Sequence, residues 1–226
     1  MNRARAGAFF DFDKTLLDDD SAKYALKYLW ERRRLPAGYI LRVLALNQLY
    51  KRDLCSEERM VRQLLTYYRN RSMDEFIEGA EDFHNDYIVP HLAPNIVDRV
   101  REHRESGDVL VLVSGSLRYI LNYVARDLGF DYLYCTDLEV GADGLLTGAP
   151  ADGLVMGERK RAVVWEVAEL EELDLAASHA YGNHHSDIPM LESVGHPHVV
   201  APTKTLRKVA GERGWPELSH GNRIPA

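Results

Sequence analysis

The sequence has little cysteine and no long hydrophobic run. Two cysteines, Cys55 and Cys135, stand among 226 residues and form no CxxC pair, which excludes a disulfide-rich scaffold and fits a reducing compartment. No apolar stretch approaches the roughly 18 residues that a membrane-spanning helix needs. Asp11 and Asp13 interrupt the apolar stretch near the N-terminus before the hydrophobic region of a signal peptide is complete. We therefore expect a cytoplasmic protein.

A large excess of charge of either sign is also missing. The formal net charge is −7 and the isoelectric point is about 5.7, which argues against nucleic acid as a partner. The hydrophobic content of 46% and the charged content of 28% are those of an ordinary globular protein. The length predicts one domain, or one domain with a sizeable insert. The charge is unevenly distributed, since residues 21–72 contain 12 Lys and Arg but 4 Asp and Glu, a local net charge of +8.

Two kinds of hydrophobic pattern divide the chain. Residues 7–13 form a short apolar run that ends in carboxylates, which predicts a buried strand. Residues 21–91 show helical periodicity without an evident strand, and after Pro94 helical and strand patterns alternate. The strands predicted after Pro94 are 108–114, 132–135, 178–181 and 198–201, and the predicted helices are 95–105, 117–128 and 161–173.

This alternation predicts an α/β fold, with a Rossmann-like parallel sheet, helices on both of its faces, and an all-helical cap inserted after the first strand. We assign residues 1–17 and 92–226 to the α/β core and residues 18–91 to the cap. Residues 138–148 contain two β-prone pieces around Asp143-Gly144, which predicts a small β-hairpin with a tight turn. The tail from Ser219 is expected to be weakly structured.

The segment Asp11-Phe12-Asp13-Lys14-Thr15 carries two carboxylates directly after the first predicted strand. Ligands of α/β folds bind at the carboxyl ends of strands, and two carboxylates there suit a nucleophile and a proton shuttle. The alternative is a turn or capping cluster, since Asp18, Asp19 and Asp20 are suited to start the first helix of the insert. Taken alone, the segment does not decide between these interpretations.

The segment Ser114-Gly115-Ser116 lies between a predicted strand and a predicted helix. A hydroxyl and unpaired N–H groups at such a junction favour anion binding, because the N-terminus of a helix carries the positive end of its dipole. The simpler interpretation is a helix N-cap. We assign the N-cap to Ser116, which leaves Ser114 to face the crevice at the strand ends.

Two later segments add a cation and metal ligands. Lys160, near the start of a predicted helix, is suited to neutralise a phosphoryl group, although its basic neighbours also fit a solvated helix end. After the next predicted strand, Asn183 and Asp187 supply hard oxygen ligands of the kind that Mg²⁺ prefers. All four segments lie at the carboxyl ends of predicted parallel strands, and together they match phosphoryl transfer.

Four histidines leave zinc as a minor alternative to magnesium. Two are adjacent, and two follow shortly after them along the chain. Their spacing matches no common structural zinc site. The four residues are His184, His185, His196 and His198.

The four segments together resemble the motifs of the haloacid dehalogenase (HAD) superfamily, in particular its phosphoserine-phosphatase-like branch with a helical cap. DFDKT resembles the first motif D-x-D-x-T, VLVSGS the second, GERKR with Lys160 the third, and YGNHHSDIPML the fourth. The fourth motif usually reads G-D-x-x-x-D, and here Asn183 stands where its first aspartate is expected. The loss of one negative charge predicts weaker Mg²⁺ binding unless Asp187 also coordinates the ion.

The resemblance implies a two-step phosphatase mechanism. Asp11 would attack phosphorus to form an aspartyl-phosphate, and Asp13 would protonate the leaving alcohol and then activate water. Mg²⁺ would be held by Asp11, the Asp13 backbone carbonyl, Asn183 and Asp187. Asp20 and the cap would face the leaving group and set specificity. The phosphoryl oxygens would be held by Thr15, Ser114, Gly115 and Lys160.

The expected substrate is a small anionic phosphate monoester in solution, such as phosphoserine or a related amino-alcohol phosphate whose amino group pairs with Asp20. The basic residues between 21 and 72 would attract such an anion. A lysophospholipid or glycerol-phosphate substrate, with contact to a membrane surface, is an alternative. Its basis is a basic patch with one tryptophan, formed by Lys23, Lys27, Trp30, Arg32, Arg33 and Arg34.

Other classes of function fit the residues less well. A non-catalytic phosphate-binding module, which Asn183 would permit, has no need of the carboxylate pair formed by Asp11 and Asp13. A dinucleotide-dependent enzyme would have a G-x-G-x-x-G turn after the first strand, where this chain has Asp11. A serine hydrolase would have a G-x-S-x-G pattern around Ser114 or Ser116.

Overall fold

The computed structural model describes residues 5–50, 52 and 54–221. The described chain forms the strands β1 (Gly7–Phe10), β2 (Val109–Leu117), β3 (Tyr132–Thr136), β4 (Leu138–Val140), β5 (Leu146–Pro150), β6 (His179–Gly182), β7 (His196–Val200) and β8 (Glu217–Leu218). Six strands build one sheet in the order β3-β2-β1-β6-β7-β8, and all neighbouring pairs in it are parallel. β4 and β5 form a separate antiparallel pair. The predicted parallel sheet and hairpin are both confirmed.

Helices fill the segments between the strands. They are α1 (Ser21–Glu31), α2 (Ala37–Tyr50), α3 (Glu57–Leu65), α4 (Asp74–Ile77), α5 (Ala80–Phe83), α6 (Pro94–Ser106), α7 (Arg118–Leu128), α8 (Glu158–Leu170), α9 (Ile188–Leu191) and α10 (Lys204–Arg213). Short 3₁₀ or π turns join several of them. Among the helices in the described part of the chain, none has both the length and the hydrophobicity that a membrane span requires.

The main sheet is covered on both faces because its central strands are apolar on both sides. Phe10 of β1 and Leu112 of β2 face one layer, which contains α6, α7 and apolar side chains of residues 21–91. Phe9 and Val111 face the opposite layer, which contains α8, α9 and α10. Helices on both faces of the sheet were predicted from the sequence, and the structure confirms them.

The helical segment after β1 leaves the sheet and returns to it at adjacent points. Leu17 and Leu92 form an isolated antiparallel bridge, and the Ala93 N–H donates to the Leu16 carbonyl at 2.8 Å. The described residues between 21 and 91 form helices and turns and no strand. These contacts support the division that we propose from the sequence, with a helical cap at residues 18–91 between two parts of one α/β core.

The β4–β5 hairpin ties the cap to the core. Residues 141–145 connect its strands. The predicted tight turn is present there, because the Gly144 N–H donates to the Gly141 carbonyl at 3.0 Å and Gly144 has a φ of 80°. The Asn70 N–H donates to the Leu146 carbonyl at 2.8 Å, and the Leu146 N–H donates to the Arg71 carbonyl at 2.9 Å. A backbone segment of the cap therefore pairs with β5.

Several element boundaries differ from the sequence prediction. α8 begins at Glu158 rather than at residue 161, and β2 continues past Ser114 because its pairing with β3 shifts register there. α10 and β8 follow the last predicted strand and are polar or short. The described residues of the tail, 219–221, form no helix or strand, although the Ser219 carbonyl accepts a hydrogen bond from Asn95 and His220 bonds the Lys14 carbonyl. Residues 222–226 lie outside the described residues.

Candidate active site

Asp11 lies directly after β1, in the middle of the parallel sheet. The strands β2 and β3 lie on one side of β1, and the later strands β6, β7 and β8 lie on its other side. Open α/β sheets leave a ligand crevice where the strand order reverses in this way. The Asp11 N–H donates to the Tyr181 carbonyl at 2.9 Å, which continues the pairing of β1 with β6. Lys14 then adopts a left-handed conformation (φ 55°), and the Thr15 hydroxyl donates to Asp11 Oδ2 at 3.1 Å. The turn thus fixes the Asp11 carboxylate.

Lys160 joins Asp11 to the fourth-motif segment. It lies in the first turn of α8 and is 2% exposed. Its Nζ is 2.6 Å from Asp11 Oδ1 and 2.6 Å from Asp187 Oδ1. Burial lowers the pKa of Lys160, but the two carboxylates outweigh this effect and raise it above its ordinary value. The ammonium group therefore stays charged and holds two carboxylates that would otherwise repel each other.

Asp187 organises the loop after β6. Its Oδ2 accepts the N–H groups of Asn183 and His184, each at 2.9 Å. The close packing requires glycine at position 182, because a Cβ there would lie 2.6 Å from the Asp187 Cβ. Asn183 and Asp187, predicted as metal ligands, are thereby brought to the same crevice as Asp11 and are both buried.

Asp13 is held by two serines. Its Oδ1 accepts the Ser21 N–H, and its Oδ2 accepts the Ser116 hydroxyl. The Ser21 and Ser116 hydroxyl oxygens lie 2.8 Å apart. The assignment of Ser116 as a helix N-cap is wrong: Leu117 occupies the N-cap of α7, and no side chain caps that helix. Sequence reasoning missed both serines as site residues because their contact with Asp13 forms only in the folded chain.

Ser114 and Gly115 form the wall opposite Asp11. β2 pairs Ser114 with Cys135 and next pairs Leu117 with Thr136, so the residues between them bulge from the sheet. The Ser116 N–H donates to Ser114 Oγ at 3.1 Å, which leaves the Ser114 O–H able to donate towards the crevice. Ser114 thus takes the place that the sequence predicts for it.

Thr15 lies behind Asp11 rather than on the wall of the crevice, whereas Asp20 lines the crevice. The described residues that line the crevice do not include Thr15, which is fully buried and donates to Asp11. We therefore propose that Thr15 orients Asp11 rather than binding phosphate. The Asp20 carboxylate pairs with Lys14 at 2.8 Å and with Lys23 at 3.4 Å.

Burial shifts the acidity of both first-motif aspartates. Burial raises the pKa of Asp11 to about 7, the Asp187 carboxylate adds to this rise, and Lys160 opposes it. Burial also raises the pKa of Asp13, and the hydrogen bonds from Ser116 and Ser21 oppose that rise. A carboxyl group with a raised pKa is suited to donate a proton near neutral pH.

The donor set of the crevice fits Mg²⁺. Two buried carboxylates, Asp11 and Asp187, share one ammonium group, and the Asn183 amide lines the same space. Hard oxygen donors of this kind suit Mg²⁺, and a divalent cation would offset the carboxylate charge that raises the pKa of Asp11. These residues therefore fit a magnesium ion.

The zinc alternative finds no support in the fold. His184 and His185 lie after β6, with ring centroids 4.0 Å apart, whereas His196 begins β7 and stacks on His179 of β6 at 4.7 Å. Within the described chain, no three His, Cys, Asp or Glu side chains form a group that could hold a metal ion. The proposed magnesium site differs, because it also uses an amide and a backbone carbonyl.

One cavity of about 450 Å³ joins the crevice to the helical cap. Its core side holds most of the site residues predicted from the sequence, and its cap side is formed by α1, α2 and α3. The predicted residues on its wall are Asp11, Asp13, Asp20, Ser114, Gly115, Lys160, Asn183 and Asp187.

The matched family agrees with this arrangement. Residues 8–192, which include all four segments, match the family of haloacid dehalogenase-like hydrolases. The chain belongs to this family. This HAD-like hydrolase is 32% identical over 236 residues to a probable phosphatase of Mycobacterium tuberculosis, a match that covers 99% of this chain and 80% of that protein. It is 29% identical over 219 residues to a histidinol-phosphatase of Neisseria meningitidis, covering 94% of this chain and 97% of that protein.

Solved structures share the fold of this HAD-like hydrolase. A protein of unknown function from Bordetella pertussis has a TM-score of 0.84 and 29% identity, with 97% of this chain and 100% of that chain covered. A substrate-bound phosphoserine phosphatase has a TM-score of 0.71 and 18% identity, with 96% and 94% covered. The likeness to the second concerns the fold. The predicted membership of the HAD superfamily is confirmed, and the enzyme class shared by the named relatives is phosphatase.

Proposed function

We propose that this HAD-like hydrolase is a Mg²⁺-dependent phosphatase that hydrolyses a phosphate monoester through an aspartyl-phosphate on Asp11. The observation that carries the proposal is the position of Asp11 at the floor of the cavity, fixed by Thr15 and Lys160 and accompanied by Asp13. A module that only binds phosphate gains nothing from two carboxylates on the wall of an anion site, because they repel the anion.

In the proposed first step, a carboxylate oxygen of Asp11 attacks phosphorus and the bond to the ester oxygen breaks. Asp13 gives its proton to the leaving alcohol, and its raised pKa favours the protonated form that this step needs. In the second step, Asp13 takes a proton from water, and the resulting hydroxide displaces Asp11 from phosphorus. Ser21 and Ser116 orient Asp13 in both steps.

In this proposal, three groups of the core hold the phosphoryl oxygens. Lys160 supplies a buried positive charge beside Asp11, and donors fixed before the reaction stabilise the charge that develops in the transition state. The Ser114 hydroxyl is oriented by the N–H of Ser116. Gly115 lies on the bulge of β2 and lines the same cavity, and we propose its N–H as the third donor.

Asp11, Asp187, the Asn183 amide and the Asp13 backbone carbonyl would hold the magnesium ion. When bound, Mg²⁺ offsets the repulsion between the Asp11 carboxylate and the phosphate dianion and polarises the phosphoryl group. Asp187 has a further task in this chain, since its Oδ2 fixes the loop that carries Asn183. We propose a cytoplasmic location for this activity, which the free thiols of Cys55 and Cys135 suit.

Hydrolysis of an aryl phosphate by the purified chain, with Mg²⁺ and with a chelator, tests the proposal. We expect turnover that requires Mg²⁺ and that Asp11→Asn lowers by about 10⁴-fold or more. Asp98→Asn is the matched control, because Asp98 is an exposed carboxylate on α6 that pairs only with Arg101 among the described contacts. Full activity of Asp11→Asn would contradict the assignment of the nucleophile. Phosphate binding without Mg²⁺-dependent turnover would favour the binding module.

A further inference from the structure

The cavity extends from the catalytic crevice under the helical cap, where its wall is apolar. It has a volume of about 450 Å³, and sites for small molecules commonly measure about 300 to 1,000 Å³. We call its cap-side wall the apolar chamber. The chamber is formed by Leu26, Leu29, Val43, Met60, Val61 and Leu64.

Tyrosines beside the chamber direct their hydroxyl groups to protein partners. The Tyr39 hydroxyl donates to the Leu64 carbonyl at 2.9 Å, and the Tyr67 hydroxyl donates to the Arg34 carbonyl at 3.3 Å. The Tyr68 hydroxyl lies 2.8 Å from that of Tyr119. These tyrosines therefore offer the cavity mainly the apolar surface of their rings.

Charge on the cap side of the described cavity wall is confined to the ion pairs around the start of α1. All described cavity-lining residues of α2 and α3 are uncharged. There, Lys14 and Lys23 both pair with Asp20, and Lys23 also pairs with Asp19 at 2.6 Å. An amino-acid phosphate would have to displace these ion pairs or place its ammonium and carboxylate groups against apolar side chains, which is costly without partners.

We propose that the apolar chamber binds the organic group of the substrate and that this group is an alkyl chain. The substrate class is then a phosphate monoester with an alkyl chain rather than a phosphorylated amino acid. The inference rests on the proposed function, because phosphate held at Asp11 is what directs the chain into the chamber. Burial of the chain against the chamber residues supplies the binding free energy through the hydrophobic effect.

The test is the dependence of kcat/KM on chain length for ethyl, butyl, hexyl and octyl phosphate, each below its critical micelle concentration. Full burial of one methylene group predicts a rise of about fourfold in kcat/KM, and hence about two-hundredfold from butyl to octyl. We expect octyl phosphate to be hydrolysed better than phosphoserine or histidinol phosphate. Equal kcat/KM values along the series, or a preference for phosphoserine, would overturn the inference.

Two variants on one helix locate the binding site of the chain. Val43→Asp places a charge in the chamber and should abolish the preference for octyl over ethyl phosphate. Leu41→Asp is the matched control, because Leu41 is 70% exposed on the same helix and does not line the described cavity. A preference for octyl phosphate that survives Val43→Asp, or that Leu41→Asp also abolishes, would contradict the chamber as the binding site.

Binding of alkyl phosphonates, measured by calorimetry, separates failure of this inference from failure of the proposed function. The C–P bond of these compounds is not hydrolysed, so binding can be measured without turnover. Tighter binding of octyl than of ethyl phosphonate, with a more negative heat capacity change, would support the chamber as the binding site of the alkyl chain. Turnover of ethyl phosphate without any effect of chain length would contradict the binding of an alkyl chain in the chamber and leave the proposed function intact. A lysophosphatidate with an eight-carbon chain, compared with octyl phosphate, distinguishes a lipid from a simple alcohol as the source of the chain.

Discussion

The catalytic crevice of the core and the helical cap face the same cavity but are built on different principles. Crevice side chains are buried, charged and fixed by one another, as in the Asp11–Lys160–Asp187 cluster. The cap is uncharged on the cavity wall formed by α2 and α3, and residues 21–72 carry a net charge of +8. α2 has no buried side chain among those described, so its cavity face is only partly covered by the protein.

This difference assigns separate tasks to the two regions. In the proposed function, the core holds the phosphoryl group, which all phosphate monoesters share, so changes there should affect all substrates alike. The proposed contact of the cap with the organic group means that changes on its cavity wall should affect substrates according to their size and polarity. Substitutions that violate this rule would show that the two tasks are not separate.

Within the core, the largest of the remaining effects is expected for Ser116→Ala. The variant removes a hydrogen bond to the Asp13 carboxylate, and a bond to a charged group of this kind is worth about tenfold in rate. We expect kcat to fall for every substrate, with little change in KM, because Ser116 positions Asp13 and does not bind the organic group. Ser106→Ala is the control, since the Ser106 hydroxyl bonds a backbone carbonyl on α6. A loss confined to long-chain substrates would contradict the division of tasks.

Asn183→Asp should change how the activity depends on the Mg²⁺ concentration. The variant adds a carboxylate to the proposed donor set, so the Mg²⁺ concentration for half-maximal activity should fall by about tenfold, the scale on which single changes around a metal act. Asn47→Asp adds the same charge to the cap side of the cavity and should leave that concentration unchanged. If both variants alter Mg²⁺ dependence equally, general electrostatics rather than ligation explains the effect.

Arg42→Glu tests the outer surface of the cap. Arg42 is exposed on α2, and the change should lower kcat/KM for a phosphate dianion about threefold at low ionic strength, because like charges then oppose the approach. The effect should vanish in high salt. Lys208→Glu is the matched control, because the Lys208 side chain is exposed on α10 of the core. An equal loss for the control would show that the cap has no special part in attracting the substrate.

The smallest expected effect is on the free energy of unfolding, and it comes from histidines of the core that lie outside the crevice. Burial and then the neighbouring histidines lower the pKa of His179 and His198 to about 4. Because the unfolded chain then binds more protons between about pH 4 and 6.5, the free energy of unfolding should decrease as pH falls through that range. His198→Gln should make this decrease smaller in urea unfolding measurements. If the free energy of unfolding of His198→Gln depends on pH as that of the unchanged protein does, this prediction is contradicted.

Much of the core could be predicted from sequence because its signals are local. Apolar runs such as that of β2 mark buried strands, and the segments that end them carry the polar residues of the crevice. The serines around Asp13 could not be found in this way, since Ser21 and Ser116 lie far apart in the chain and meet only after folding. Local reasoning gave Ser116 a capping role, which tertiary contacts override.

The cap was predictable as helical but not as an apolar chamber. Helical periodicity locates apolar residues such as Val43 and Leu64 on helices, but which of them face the cavity depends on how α1, α2 and α3 pack. The pairing of Asp20 with Lys14 and Lys23 likewise requires the fold. The expectation that Asp20 binds an amino group therefore stays a prediction that these ion pairs do not favour.

The most direct test of the account is to trap phosphate on the protein. The chain is mixed with a phosphate monoester and Mg²⁺, quenched in acid during turnover, and digested for mass spectrometry. We predict an acid-stable, hydroxylamine-sensitive phosphoryl group on the peptide that contains Asp11, and no such group in Asp11→Asn. Turnover without a phosphorylated intermediate, or a phosphoryl group on another residue, would contradict it.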